Sequence, residues 1–411
     1  MKINVNEPVL LSPVCKDIIW GGERLAREFE KGDGKMDRIA ETWELTVRDD
    51  AVSTVQSGIL AGKPLSELYG TEDFPVLIKF IDAKENLSVQ VHPDDEIAAE
   101  RYDALGKSEL WYVLDAQPDA NVYMGFKREV TAQEFYDKCN DGTVVDLLNV
   151  IHPKKGDVLF ITPGTVHAVD GNIQLVEIQE SSDLTFRLYD WGREKNPMTA
   201  RPIHLEEAID MIDYLPYDMC KYRKGPLWGE EASYEPCCSH LDHCCDHDHD
   251  HDHEHHAHEG QTVETLVESA QFTVSKLNLT DPLHIYTEQF GSFIVYVCIE
   301  GAASIQVPST RPDGEAFMDN YEFKKGETMM IPADMADFYL VPRDRSTVLL
   351  EAVTRVQEDL DAYIDPNTDP YLEGEDYEGL EDGAFEDDDE DEGPVGASPL
   401  GFFGAGRNPL S

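Results

Sequence analysis

The run from Lys154-Lys155-Gly156-Asp157 through Ile161 to Pro163 returns as Lys324-Lys325-Gly326-Glu327 through Ile331 to Pro332. Each copy reads as a turn feeding a short apolar strand that stops at a proline. Trp111 to Leu114 is echoed by Val295 to Cys298, which sets Phe293 where the first copy has Glu109, and no histidine follows Pro332 as His167 follows Pro163. A repeated turn-and-strand unit constrains the chain to two copies of one β architecture. Short apolar runs bounded by Gly, Pro or Asp over 75–176 and 272–353 fit a barrel or jelly roll in each copy. The competing reading, that Lys-Lys-Gly-acid is a common turn recurring by chance, stays open. Helices are few: Asp94 to about Ala104, stopped by Gly106; a capping box at Thr131 and Glu134 opening a helix that ends near Gly142; and short candidates at Thr143–Val150 and Leu205–Tyr214.

Gln90 and His92 sit two apart between Leu87 and Asp95, so on a strand they share one face while Val89 and Val91 face the other. Glu109 and His167 lie in later apolar runs and complete a set of two imidazoles, one carboxylate and one amide. That set suits zinc or another borderline divalent ion, and it lacks the thiolates of most structural zinc sites. The pattern therefore predicts a catalytic metal in the first copy only.

At 411 residues the chain has room for two to three domains. Its formal charge of −50 is unevenly placed: residues 358–392 carry 18 acids and residues 230–259 carry 10, with no Lys or Arg in either stretch. The remainder is moderately acidic, which argues against a nucleic-acid partner while leaving room for a small anion held by a few local cations. No segment reads as a membrane span or signal peptide, and the expected location is the cytoplasm. Of eight cysteines, four form the doublets Cys237-Cys238 and Cys244-Cys245, and reduced thiols are expected. Nine of the fourteen histidines fall between His240 and His258 in Asp-His alternation. Such a tract is expected to be a disordered insertion, either a reservoir for extra metal ions or a surface loop that binds them adventitiously. The acidic tail beyond Glu358 reads as disordered, a solvating extension or a docking peptide.

Four stretches in combination, Pro75 to Asp95, Gly106 to Tyr112, Pro163 to His167 and Ser182 to Arg193, resemble the signature of type I mannose-6-phosphate isomerases. The resemblance spans roughly residues 8 to 355 and is to the short bacterial form, without the large helical insertion of the fungal and animal enzymes. It implies a mainly β fold of two cupin-like jelly-roll barrels with a few short helices. The implied domains are 1–228 with the metal and the catalytic site, 229–262 as the His/Cys-rich insertion, 263–356 as a second barrel without metal ligands, and 357–411 as the tail.

The resemblance also assigns roles. Gln90, His92, Glu109 and His167 hold one Zn2+; Glu177 is the acid/base; Arg187 is the catalytic arginine; and Lys107 and Lys79 are active-site lysines. Ser88 and Arg193 contact phosphate, and Trp20 and Glu41 lie near the substrate. A structural salt bridge is the alternative for Glu177, snorkelling for the lysines and core packing for Trp20. The implied activity interconverts mannose 6-phosphate and fructose 6-phosphate by proton transfer through a cis-enediol. The rivals are a non-catalytic cupin that senses or binds sugar phosphates and a metal-storage protein built on the His/Cys run. His152 and His204 are given no role, and the oligomeric state is left open.

Overall fold

Two strands, Val76–Ala83 and Ile173–Glu180, are buried at all eight positions. An antiparallel strand shows this only when both of its faces are covered. One face looks into a barrel and the other lies under a second barrel. This computed structural model describes residues 6–70, 74–218, 261–287 and 290–354, with the backbone of Arg223–Lys224.

The first barrel is a jelly roll of two sheets. A seven-stranded sheet runs in the order Arg223–Lys224, Val158–Ile161, Glu109–Ala116, Ile173–Glu180, Val76–Ala83, Glu41–Leu45 and Val14–Lys16. Facing it is a five-stranded sheet, Leu148–Ile151, Val122–Phe126, His167–Val169, Val89–Val91 and Phe186–Tyr189. Strand alternation divides the side chains cleanly. Trp111, Val113, Ile81, Leu175 and Val169 fill the interior between the sheets. Val89, Val91, Ala168, Phe186 and Leu188 point outward under Phe135, Cys139 and Met211.

The second barrel pairs a seven-stranded sheet with a four-stranded one, and Ile294, Tyr296, Cys298 and Phe338 fill the space between them. The two barrels meet through their large sheets. Ile78, Phe80, Leu110, Tyr112 and Val176 of the first pack on Val274, Val295, Val297, Met330 and Leu350 of the second. The chain also ties them together at its start, since Val9–Ser12 joins the second barrel's sheet through Val9↔Met330 and Leu10↔Met329.

The repeat seen in the sequence is one turn built twice. Gly156 and Gly326 have φ of 89° and 85°, a region open to glycine. Each Gly N–H donates across to the preceding strand, to Val113 O in one copy and Cys298 O in the other, both at 2.8 Å. Asp157 and Glu327 each close the turn on the backbone N–H of the first lysine.

These matched bonds correct the internal alignment by one residue. Val113 corresponds to Cys298, Trp111 to Tyr296, and Glu109 to Ile294 rather than Phe293. A slip of one position moves a side chain to the opposite face of the sheet. Phe293 accordingly lies in the core between the barrels while Ile294 faces the second barrel's interior.

The helices follow the expected caps with shorter spans. Asp94 caps Asp95–Tyr102, which ends at Asp103 in the left-handed region rather than running on to Gly106. Gly106 instead lies against Asp95, where a Cβ would stand 2.6 Å from the Asp95 N. Thr131 caps Ala132–Asp141 and Gly142 ends it in the left-handed region. The Thr143–Val150 candidate is one 3-10 turn, Val144–Leu147, running into the strand Leu148–Ile151, and the Leu205–Tyr214 candidate is helical only over Leu205–Ala208. The Asp-His tract, its cysteine doublets and the acidic tail lie outside the described residues. Cys15, Cys139 and Cys298 are free thiols.

Between the barrels the apolar packing is interrupted by Glu44, fully buried, which pairs with Lys31 Nζ at 2.7 Å and accepts from Thr42 Oγ1 at 2.6 Å. Thr328 Oγ1 of the second barrel reaches the same carboxylate at 3.4 Å. Removing one partner of a buried pair leaves the other charge uncompensated. Glu44→Ala should therefore cost about 3–5 kcal/mol in denaturant unfolding; a loss below about 1 kcal/mol, the range of exposed pairs, would show that water reaches Lys31.

Candidate metal centre and active site

His92, Glu109 and His167 come from three different strand ends and converge inside the first barrel, their candidate ligand atoms all within 4.8 Å of one another. His167 and Glu109 are fully buried and His92 nearly so. The imidazoles are oriented from behind. His92 Nδ1 is 2.9 Å from Leu184 O, and His167 Nδ1 is 2.9 Å from Thr165 O. A carbonyl oxygen only accepts, so each Nδ1 carries the proton and each Nε2 lone pair turns inward.

His92 Nε2 and His167 Nε2 lie 3.6 and 3.3 Å from Glu109 Oε1. Burial, with the charge of Lys107, pushes the His92 pKa down to about 4, so its imidazole is neutral at pH 7. For Glu109, burial acts in the opposite direction, but the Lys107 charge and the neighbouring imidazoles outweigh it and hold the carboxyl well below its usual range. Although Lys107 Nζ approaches Oε2 at 2.9 Å, neither Glu109 oxygen has a hydrogen-bond partner. A buried carboxylate without a hydrogen bond, beside two inward-turned imidazole nitrogens, is a donor set that suits a divalent cation.

Gln90 pairs with His167 on one side and Arg187 on the other, so all three side chains share the inner face. Its Oε1 accepts from Ser88 Oγ at 3.2 Å and its Nε2 lies 3.1 Å from His167 Nε2.

Beside this cluster the inner face of the large sheet carries a second one. Glu177 Oε1 accepts from Lys79 Nζ at 2.8 Å and lies 3.8 Å from Lys107 Nζ, and its Oε2 accepts from Trp111 Nε1 at 3.2 Å. Burial works against the Lys79 charge, but Glu177 and Glu41 outweigh it and hold the ammonium above its ordinary range. Glu41 is half-buried and accepts from Trp43 Nε1 at 2.7 Å; burial raises its pKa and Lys79 opposes the rise. Trp20, expected beside the substrate, is buried in the interior core and presents its carbonyl to the N–H groups of Lys84 and Glu85.

Arg187 lies on the strand next to Gln90, with NH1 donating to Pro202 O and a buried Nε that has no partner. Burial and the nearby Arg201 lower its pKa to about 10, so it stays charged at pH 7. Arg193 donates to Asp190 Oδ1 and to Asn86 O, both at 2.7 Å. Arg201 binds the same Asp190.

Sequence reasoning missed Arg201, Trp111 and His204, whose backbone and ring bracket Arg187. Alternation from Glu109 to Trp111 was a usable signal for one of them. For Arg201 and His204, which lie in a loop, there was none.

The residues match the family model for the phosphomannose isomerase type I catalytic domain over 9–119 and the one for the mannose-6-phosphate isomerase cupin domain over 262–343. Mannose-6-phosphate isomerase ManA of Bacillus subtilis is 32% identical over 81% of this chain and 96% of its own. The mannose-6-phosphate isomerase of Streptococcus mutans is 29% identical over 79% and 92%. The chain belongs to the type I mannose-6-phosphate isomerases. A crystal structure of the Bacillus subtilis enzyme superimposes with a TM-score of 0.65 at 27% identity, over 84% of this chain and 99% of that one. Mannose-6-phosphate isomerisation is thus the activity of this isomerase, on a cupin fold with a candidate metal site in its first barrel. No helix among the described residues is long and apolar enough to cross a membrane.

Glu180, at the end of the strand that carries Glu177, is buried and accepts from Ser108 N at 2.6 Å. Burial and the Asp95 carboxylate push its pKa up to about 7. The folded state therefore holds this proton more tightly than the unfolded chain, and the resulting stability is full below about pH 4.5 and lost as pH rises through 7. Glu180→Gln keeps the acceptor and has no proton to lose. In metal-free protein its Tm should match wild type near pH 4.5 and exceed it at pH 8, by roughly 3 kcal/mol in stability; a difference that does not change with pH would contradict the assignment.

Proposed function

We propose that this isomerase works with one zinc ion held by His92, Glu109, His167 and the amide of Gln90. The carrying observation is Glu109, buried beside two inward-facing imidazole nitrogens, with no hydrogen bond to either oxygen and the Lys107 ammonium against only one of them. Turning the Gln90 amide about its last bond brings Oε1 to the position Nε2 holds beside His167, completing two nitrogens and two oxygens. Zinc supplies positive charge that polarises a substrate oxygen or orders water beside it.

The chain's own groups carry the proton transfer. Aldose-to-ketose conversion moves the C2 proton to C1 and the O2 hydroxyl proton to O1. Glu177 takes the first from C2, forming the cis-enediol, and returns it to C1. It is kept in place by Lys79 and Trp111, whose bonds leave the carboxylate little freedom to turn. Lys107, between Glu109, His92 and Glu177, carries the hydroxyl proton between O2 and O1. Arg187 offers fixed charge to the enediolate oxygens, and its unpartnered Nε is the donor available for that contact. Arg193 and Ser88 anchor the phosphate. Three guanidiniums near one Asp190 give this side of the barrel local positive charge in a strongly acidic chain.

Removing metal with a chelator should abolish turnover, and zinc should restore it. His92→Ala or His167→Ala should lose metal and activity together. Both variants losing activity at full metal occupancy would refute the ligand assignment. Glu177→Gln should stop exchange of the C2 proton with solvent while keeping the metal. Arg187→Ala should lower kcat by about 10²-fold, as loss of an oxyanion donor does, with a smaller change in KM. C2 exchange measured by NMR in deuterated buffer checks both. Exchange unchanged in Glu177→Gln would move the base to Lys107, and none in metal-loaded wild type that still binds the sugar phosphate would mark a binding protein.

A further inference from the structure

Gln179 is fully buried two residues after Glu177, opposite Glu109 in the sheet. Its side chain is bonded at both ends. Nε2 donates to Glu180 O at 2.7 Å and Ser182 O at 2.6 Å, and Oε1 accepts from Lys79 Nζ at 2.7 Å. Two carbonyls that cannot donate and an ammonium that cannot accept fix the amide in one orientation.

Each end leads to a different part of the site. Lys79 goes on to bond Glu177 Oε1. Ser182 Oγ accepts from Leu184 N at 3.3 Å, and Leu184 O is the acceptor that turns His92 Nε2 inward. A continuous path of hydrogen bonds and short backbone links therefore runs from the Glu177 carboxylate through Lys79, Gln179 and the 180–184 turn to the imidazole of His92.

We infer that Gln179 is a positioning residue that sets the Lys79–Glu177 pair and the orientation of His92 together. It keeps the proton-transfer groups and the metal ligand in register. The inference rests on the zinc-dependent reading above. A residue that merely satisfied the buried turn would affect folding stability alone, whereas Gln179 acts on rate and on metal affinity.

Gln179→Met keeps the length of the side chain and removes all three bonds. Loss of a partner that orients a metal ligand typically costs 10–100-fold in affinity or activity. The expected result is a kcat at saturating zinc lowered about 10-fold or more, KM for mannose 6-phosphate changed by less than about 3-fold, and zinc affinity lowered about 10-fold, measured by competition with a chromophoric chelator. A folded Gln179→Met protein with kcat and zinc affinity within about twofold of wild type would overturn the inference, whatever its Tm.

If that variant does not fold, Gln179→Glu is read instead. It keeps an acceptor for Lys79 but sets a carboxylate against two carbonyl oxygens, so its zinc affinity should still fall about 10-fold; an unchanged affinity would overturn the inference. Wild type run in parallel separates the two levels, because wild type inactive with bound zinc would refute the underlying reading.

Discussion

The placement of Glu109 is the constraint on which the rest of the site depends. A carboxylate with no exposed surface and no hydrogen bond is costly, and it persists only if a cation stands against it. Lys107 meets part of that need at 2.9 Å, and the lone pairs of His92 and His167 face the same point. The carbonyls of Leu184 and Thr165 aim those lone pairs, so part of the candidate site's geometry is set by backbone that no side-chain motif records.

The second barrel shows what the same plan becomes without the charges. Its strands pair in the matching register, so Tyr296 stands for Trp111, Glu351 for Glu177 and Ser275 for Lys79. Ile294 replaces Glu109. Burial raises the Glu351 pKa, opposed only by the Tyr296 hydroxyl, where Glu177 has the Lys79 ammonium at 2.8 Å. The two barrels are joined by Lys31, Glu44 and the apolar layer between the large sheets.

Much of this was legible in the sequence because strands have a period of two. Gln90 and Val91, or Lys79 and Phe80, are assigned to opposite faces by counting alone, and the matched turns at Gly156 and Gly326 announced the duplication. Counting failed where one residue mattered. Aligning by apolar character set Phe293 against Glu109, and only the hydrogen bonds of the turns restored Ile294. Contacts made from loops left no periodic trace: Arg201 on Asp190, His204 beside Arg187, and the turn that orients His92 depend on how distant segments meet. Trp20 matched a motif, and its ring is buried in the interior core of the same barrel.

We place the functional ion on barrel side chains and not on the Cys/His tract of residues 237–258. X-ray absorption at the zinc edge, on protein carrying one equivalent of tightly held zinc, tests it most directly. The expected spectrum has only nitrogen and oxygen neighbours at about 2.0–2.2 Å, with the scattering of two imidazoles. A sulfur shell near about 2.3 Å would contradict it and put the ion on the cysteines.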